Sequence, residues 1–451
     1  MLASAPIVSR IGWLRSAFRW FRFGGTAPMA MALPYGSRWS MNILYISYNG
    51  LTDFIGQAQV LPYLVESARA GMRITVISFE SDDRRAKLGD AVAATMARHG
   101  MTWMPQRFRT RPPLLAKALD HRTMHAAARD AMRSGRFDMV HCRSYPAAMV
   151  GLELKRRTGV PLLFDMRGFW PDSRRDGGRW PAGHLIYGPL FQRWKRNEAR
   201  LLEASDHIVS LTKAARRELT TWQGYDGAPV SIIPCCNDFE LFRPSPADQR
   251  REVRERLNIP AGAPVLLYLG SLGSIYMLGD KLRLFERIRQ RHGDAILLFV
   301  GRYGIDDIVK EARRCGVEPP VEAIRATQAE RTGVPPLIAA ADAGLCFYVP
   351  AISSLAVSPT KMGEYLACGV PTYANAIVGD TQEILAEVAG GHSLPDLSDD
   401  SLDAAANAFE RLIARDPMAL RARARPILDL PVAARTYQQI YDDPGTAHDA
   451  F

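Results

Sequence analysis

Ser353-Ser354-Leu355-Ala356-Val357-Ser358-Pro359-Thr360-Lys361-Met362-Gly363-Glu364-Tyr365-Leu366-Ala367-Cys368-Gly369-Val370-Pro371 is the stretch on which the rest of the chain is organised. It follows an apolar run, residues 343–348, that reads as a buried strand. Ser358 suits a helix N-cap and Pro359 the first helical position, while Gly369 and Pro371 stop the helix. A strand, a loop and a helix start in that order bring free backbone N–H groups to the C-terminal edge of a sheet. Open α/β sheets bind ligands at that edge, and a helix N-terminus favours an anion.

The side chains sharpen this reading. Thr360, Lys361 and Glu364 share one helical face, with Glu364 a turn deeper. A phosphate at the helix start could meet Lys361 and the N–H groups. A ribose attached to it could offer two vicinal hydroxyls to the Glu364 carboxylate. The plain alternative is an exposed Lys–Glu pair, which is worth a few tenths of a kcal/mol.

Working outward, strands and helices alternate from Asn42 onward. Strands are expected over 42–47, 73–79, 102–108, 138–142, 161–165, 207–211 and 230–234, with helices between most of them. A second series of strands follows over 265–269, 295–300, 321–325, 343–348 and 372–375. Repeated βα units predict an α/β protein with parallel, doubly wound sheets. The Arg243-Pro244-Ser245-Pro246 stretch and the charged residues up to Arg256 read as a linker. The expected division is an extension over 1–40, a first domain over 41–240, a linker over 241–257, a second domain over 258–430, and a terminal helix and tail over 431–451. Two sheets facing across a cleft suit a ligand with two ends, each gripped by one domain.

Other stretches offer candidate residues. The loop Asn49 to Gln57 follows the first strand, and Gly56 ends it at a helix start, where a bare backbone admits a ligand. It is not a Gly-x-Gly-x-x-Gly fingerprint, which disfavours NAD. His141 ends one strand, and Asp165 and Arg167 end the next, so an acid and a base are placed for cleft chemistry. Packing of His141 and a mutual Asp165–Arg167 ion pair are the plain alternatives. Arg107, Arg109 and Arg111, and the cluster Arg193, Lys195 and Arg196, would suit anionic lipid or form solvated faces.

The chain has 451 residues, a net charge of +10 and a pI of about 9.4, which favours an acidic partner such as a nucleotide phosphate or an anionic membrane face. Its six cysteines are scattered without metal-site spacing, so no metal is expected and reduced thiols fit a cytoplasmic protein. No basic–aromatic motif for nucleic acid is present. Residues 11–23 carry Arg15, Arg19 and Arg22 on one helical face, as a membrane-surface helix would. The other reading is an extension ahead of a natural start at Met41.

Together these stretches resemble the retaining glycosyltransferases of family four, of GT-B fold, over roughly 41–445. Gly56-Gln57, the segment Ala204 to Thr212, the segment Ile232 to Asp238 with Phe242, and Ser358 to Pro371 carry the resemblance. It implies a nucleotide-sugar donor between two Rossmann-like domains and transfer with retention to a sugar or lipid-linked acceptor, without a cofactor. On this resemblance the donor-binding residues are Gly56, Gly270, Ser271, Ser358, Pro359, Thr360, Lys361, Glu364, Gly379 and Asp380. The catalytic candidates are Asp165, Arg167, His141 and Lys361.

Three features depart from the family pattern. Ala356 stands where a glutamate is usual, and Ser271 and Tyr276 stand near the usual Arg and Lys, for which Lys281 or Lys361 would compensate. The usual first-domain histidine falls near Asp165 and Arg167. Two rival functions follow: a nucleotide-sugar epimerase of the same architecture, and a catalytically silent binding protein.

Overall fold

A computed structural model describes residues 41–451, and the helix expected over 11–23 lies outside the described residues. The first half builds strands β1 (Asn42–Ser47), β2 (Arg73–Glu80), β3 (Thr102–Arg107), β4 (Met139–Arg143), β5 (Leu162–Asp165), β6 (His207–Ser210) and β7 (Val230–Ile232). The second half builds β8 (Val265–Leu269), β9 (Ile296–Val300), β10 (Ile324–Thr327), β11 (Ala343–Cys346), β12 (Thr372–Asn375) and β13 (Gly391–Leu394). Their orders are β3-β2-β1-β4-β5-β6-β7 and β10-β9-β8-β11-β12-β13. Every pairing within both sheets is parallel. The two doubly wound sheets of the GT-B fold are therefore present.

Apolar runs explain the central strands. Leu44, Ile46, Val140, Leu267 and Leu298 have no exposure, as expected where helices cover both faces of a parallel sheet. Chain order reverses between β1 and β4 in the first sheet and between β8 and β11 in the second. These switch points are where crossovers diverge to opposite faces and leave a crevice at the strand ends. The loops after β8 and β11 border the second crevice, and the Ser353–Pro371 stretch begins in one of them.

The charged residues after Pro246 form a helix, Ala247–Arg256, rather than a free linker. Val253 is buried, and Arg250 and Arg254 clamp Asp342 through contacts of 2.6 and 2.8 Å, fixing the segment to the second half. The chain crosses between halves at two paired points. Asn237 N–H donates to Leu428 O at 2.8 Å, and Leu430 N–H donates to Asn237 O at 2.9 Å. The helix Leu430–Asp442 then returns to the first half, where Tyr437 and Ile440 join a core containing Ile43 and Tyr45. The tail follows the edge of β7, with Ala450 N–H donating to Ile232 O at 2.9 Å.

Candidate functional site

The helix that follows β11 runs Thr360–Ala367, with Pro359 in the N-cap position. Ser358, expected there, instead accepts a hydrogen bond through Oγ from the N–H of Cys235 at 2.9 Å, which ties the loop to the crossover. The helix ends as the sequence implies. Gly369 is left-handed at φ +75°, and Gly369 and Val370 donate back to Leu366 and Tyr365 at 3.1 and 2.9 Å. Tyr365 lies buried over Gly344, and its hydroxyl accepts from Leu269 N–H at 2.8 Å, which pins the helix to β8 and β11. The N–H groups of Thr360 and Lys361 open the helix, so no carbonyl lies a turn behind them within it.

Lys361 reaches back toward the end of β8. Its Nζ stands 4.4 Å from the ring centre of Tyr268, 4.9 Å from Tyr276 and 5.6 Å from Tyr348. An aromatic cage favours a cation through ring quadrupoles but supplies no hydrogen-bond acceptors of the strength an ammonium finds in water. Burial lowers the Lys361 pKa to about 8, against the opposing pull of Cys346 and Glu364. Gly270, at φ +130°, lies so close that a Cβ there would meet Lys361 Nζ at 3.1 Å. Ser271 presents its carbonyl to the Tyr268 hydroxyl at 2.6 Å. Lys281, the other candidate replacement, is fully buried and its amine donates to the carbonyls of Tyr276 and Phe347, so its donors are already engaged. The lysine at the site is Lys361.

One turn along, burial lifts the Glu364 carboxyl to about 7, with Arg331 and Lys361 opposing. Arg331 Nη1 stands 3.6 Å from Glu364 Oε1, and the guanidinium lies 5.1 Å from the Phe242 ring centre. Sequence reasoning missed Arg331. Arg331 opens the short turn Arg331–Gly333 that follows β10, and no local motif links it to Glu364.

The first-half candidates sit differently from expectation. Gly56 lies inside the helix Phe54–Gln59, where a Cβ would fall 1.9 Å from Gly50 O, so its bare Cα serves the turn's own packing. His141 and Asp165 are buried and do not reach the cleft. His141 Nδ1 is 2.7 Å from the Tyr441 hydroxyl, and Asp165 Oδ2 accepts from the Tyr437 hydroxyl at 3.2 Å. Burial alone would raise the Asp165 pKa, but Arg167, His141 and Arg143 hold it below the usual value. Burial keeps His141 low. The adjoining cavity, lined by Tyr45, Tyr63, His141 and Arg143, offers only about 10 Å³ to the centre of a water molecule. That is room for about one water and for no sugar. Arg167, left-handed at φ +55°, donates to Gln59 Oε1 at 2.9 Å at the base of this network. These residues lock the terminal helix onto the first half.

Gly379 is held by its own half, and Asp380 joins the two halves. Gly379 N–H donates to Ser354 O at 2.9 Å, and a Cβ at Gly379 would meet Val357 O at 2.3 Å. Asp380 is buried and accepts from the N–H groups of Lys213 and Ala214 at the start of the helix Lys213–Leu219. Ala356 is 2% exposed and packs into the first half's apolar core. Lys361 and Glu364 both lie on the helix Thr360–Ala367, while Gly56, His141, Asp165 and Asp380 have structural partners.

Two Rossmann-like units, a returning terminal helix and a cation–carboxylate pair at the second switch point define the GT-B class. Residues 58–241 match the family model described as Glycosyltransferase Family 4. The D-inositol 3-phosphate glycosyltransferase of Kineococcus radiotolerans is 33% identical over 153 residues, which are 33% of this chain and 32% of that protein. The protein of that name from Xylanimonas cellulosilytica is 28% identical over 280 residues, 58% of this chain and 61% of that one. Matches to these curated relatives thus span between about a third and three fifths of their length. A glycosyltransferase from Rickettsia africae superposes with a TM-score of 0.63 at 13% identity, covering 90% of this chain and 99% of that one. Anabaena HepE, solved with UDP and glucose, superposes with a TM-score of 0.60 at 16% identity, covering 89% and 99%. Over residues 58–241 the chain is thus similar to the family-four glycosyltransferases, and the solved structures share its two-sheet fold.

Proposed function

We propose that the protein transfers a sugar from a nucleotide-sugar donor to a lipid-linked or polysaccharide-type acceptor, with retention at the anomeric carbon. The observation that carries this reading is the caged Lys361 ammonium at a helix start, one turn from the Glu364 carboxylate. A diphosphate lying over Thr360 and Lys361 would meet two backbone N–H groups and one cation. A ribose beyond it would meet Glu364. The relatives' name supports glycosyl transfer, and the UDP complexes of HepE support this class of donor.

In this reaction the bond from the anomeric carbon to the β-phosphate oxygen breaks, and the acceptor oxygen bonds to that carbon on the same face. The acceptor proton passes to the departing phosphate. Charge grows on the diphosphate as the bond breaks, and a preoriented cation and helix start favour that state more than the ground state. We assign no metal or cofactor to the step. We place the protein in the cytoplasm at the inner face of the membrane, where a lipid-linked acceptor would lie. Thermal shift with UDP, GDP and ADP tests the donor site, since a ligand bound only by the folded state raises the midpoint. Failure of all three would remove the reading. Release of free sugar isomers without acceptor would favour the epimerase instead.

A further inference from the structure

We infer that the cleft rim of the first half docks on an anionic lipid bilayer. Among the described residues, the first half's large exposed apolar side chains are Phe54, Ile55, Leu115, Leu119, Leu185 and Ile186. All fall in or just before the first two turns of helices that lead away from the C-terminal ends of β1, β3 and β5, which is the edge facing the second half. Leu185 is 90% exposed and Ile186 58%, at the end of a run, residues 181–186, in which every residue is exposed. An aliphatic pair this open gains nothing within the folded chain and would gain from a non-aqueous surface.

Charge selects the partner. Of the basic residues at this edge, Arg107 is taken by Asp82, Arg109 by Asp120, and Lys195 by Asp172 and Glu198. Arg179, Arg193 and Arg196 are exposed and have no carboxylate within 4.0 Å among the described residues. They flank the Leu185–Ile186 tip in sequence, and Arg193 and Arg196 lie one helical turn apart. Asp176, the nearest acid in sequence to the tip, is occupied by Ser353 N–H at 3.1 Å. Unpaired guanidinium groups around exposed aliphatics match acyl chains beneath anionic headgroups better than a neutral protein face. The inference rests on the proposed transfer only for the idea that a lipid-linked acceptor lies in the same leaflet.

The test is sedimentation of the full chain with two kinds of vesicle, pure phosphatidylcholine and one containing about one quarter phosphatidylglycerol. Binding should require the anionic lipid and fall as salt rises. The double variant Leu185→Ser with Ile186→Ser should lower the partition about tenfold, and Arg179→Glu with Arg193→Glu should remove the dependence on anionic lipid. Equal partition of the aliphatic variant and the parent would overturn the inference, as would binding that ignores lipid charge or no binding at all. UDP thermal shift is run on every variant. Loss of that shift in the parent would count against the donor site, whereas its survival beside lost lipid binding isolates the rim.

Discussion

Asp380 of the second half holds its carboxylate 2.5 Å from the backbone N–H of Lys213 in the first. A second contact at 2.9 Å to Ala214 N–H makes it a cap supplied from across the interface. Removing a capping carboxylate costs about 1–2 kcal/mol, and here it also leaves two buried N–H groups without an acceptor. Asp380→Ala should therefore lower the apparent melting midpoint while leaving UDP affinity within about twofold. By contrast the exposed Lys87–Glu330 pair, which also spans the halves, should matter little when Lys87 becomes Ala, since exposed pairs contribute about 0–1 kcal/mol. Calorimetry of both variants separates the two.

Lys361→Met keeps the bulk within the tyrosine cage and removes only the charge. Its loss should weaken UDP about 10–100-fold and uridine hardly at all, because the ammonium addresses phosphate. Calorimetric titration with both ligands reads the difference. Equal losses would mean that the variant disturbs the helix rather than the diphosphate site.

The fold was largely legible because the central strands are continuous apolar runs, and twelve of the thirteen strands were expected near their final positions. The exception, Gly391–Leu394, reads as Gly-His-Ser-Leu and is an edge strand with little apolar signal. The Lys361–Glu364 arrangement was legible because helical spacing fixes a face within one short segment. The partners of His141 and Asp165 were not legible for the opposite reason. Their surroundings depend on Tyr437 and Tyr441, about 300 residues away for His141, and only the returning helix turns a strand-end acid and base into a buried lock. Arg331 was hidden because nothing local links it to Glu364, and only the fold brings the two together.

Arg331 and Glu364 predict a pH dependence. Ribose hydroxyls favour an ionised Glu364, whose carboxyl titrates near 7, and diphosphate favours a charged Lys361, which titrates near 8. UDP affinity should rise through about pH 7 and fall above about pH 8 in the free protein. Arg331→Leu removes an opposing cation, so the acidic limb should move to higher pH while the alkaline limb stays. Stability runs the other way for each group. The buried Lys361 charge destabilises the fold below about pH 8 and that penalty is relieved as pH climbs, whereas the Glu364 charge destabilises it above about pH 7 and is relieved as pH falls. Titrations of UDP across pH for parent and variant check the shift.

Ala356 tests whether the missing glutamate marks a dead site. Its chain belongs to the second half, yet its side chain is 2% exposed in the first half's core, and its carbonyl lies 3.3 Å from where a Cβ on Gly168 would sit. A glutamate there faces two outcomes. It stays buried without a cation in place, or it forces the halves apart. An uncompensated buried charge costs about 3–5 kcal/mol, more than any single hydrogen bond across the interface returns. Ala356→Glu should therefore lower the melting midpoint or enlarge the radius of gyration in X-ray scattering. UDP affinity should hold, because Lys361 and Glu364 lie on the second half's own helix. A variant that gained turnover with an unchanged midpoint would show that the position opens into the cleft and that the alanine limits catalysis.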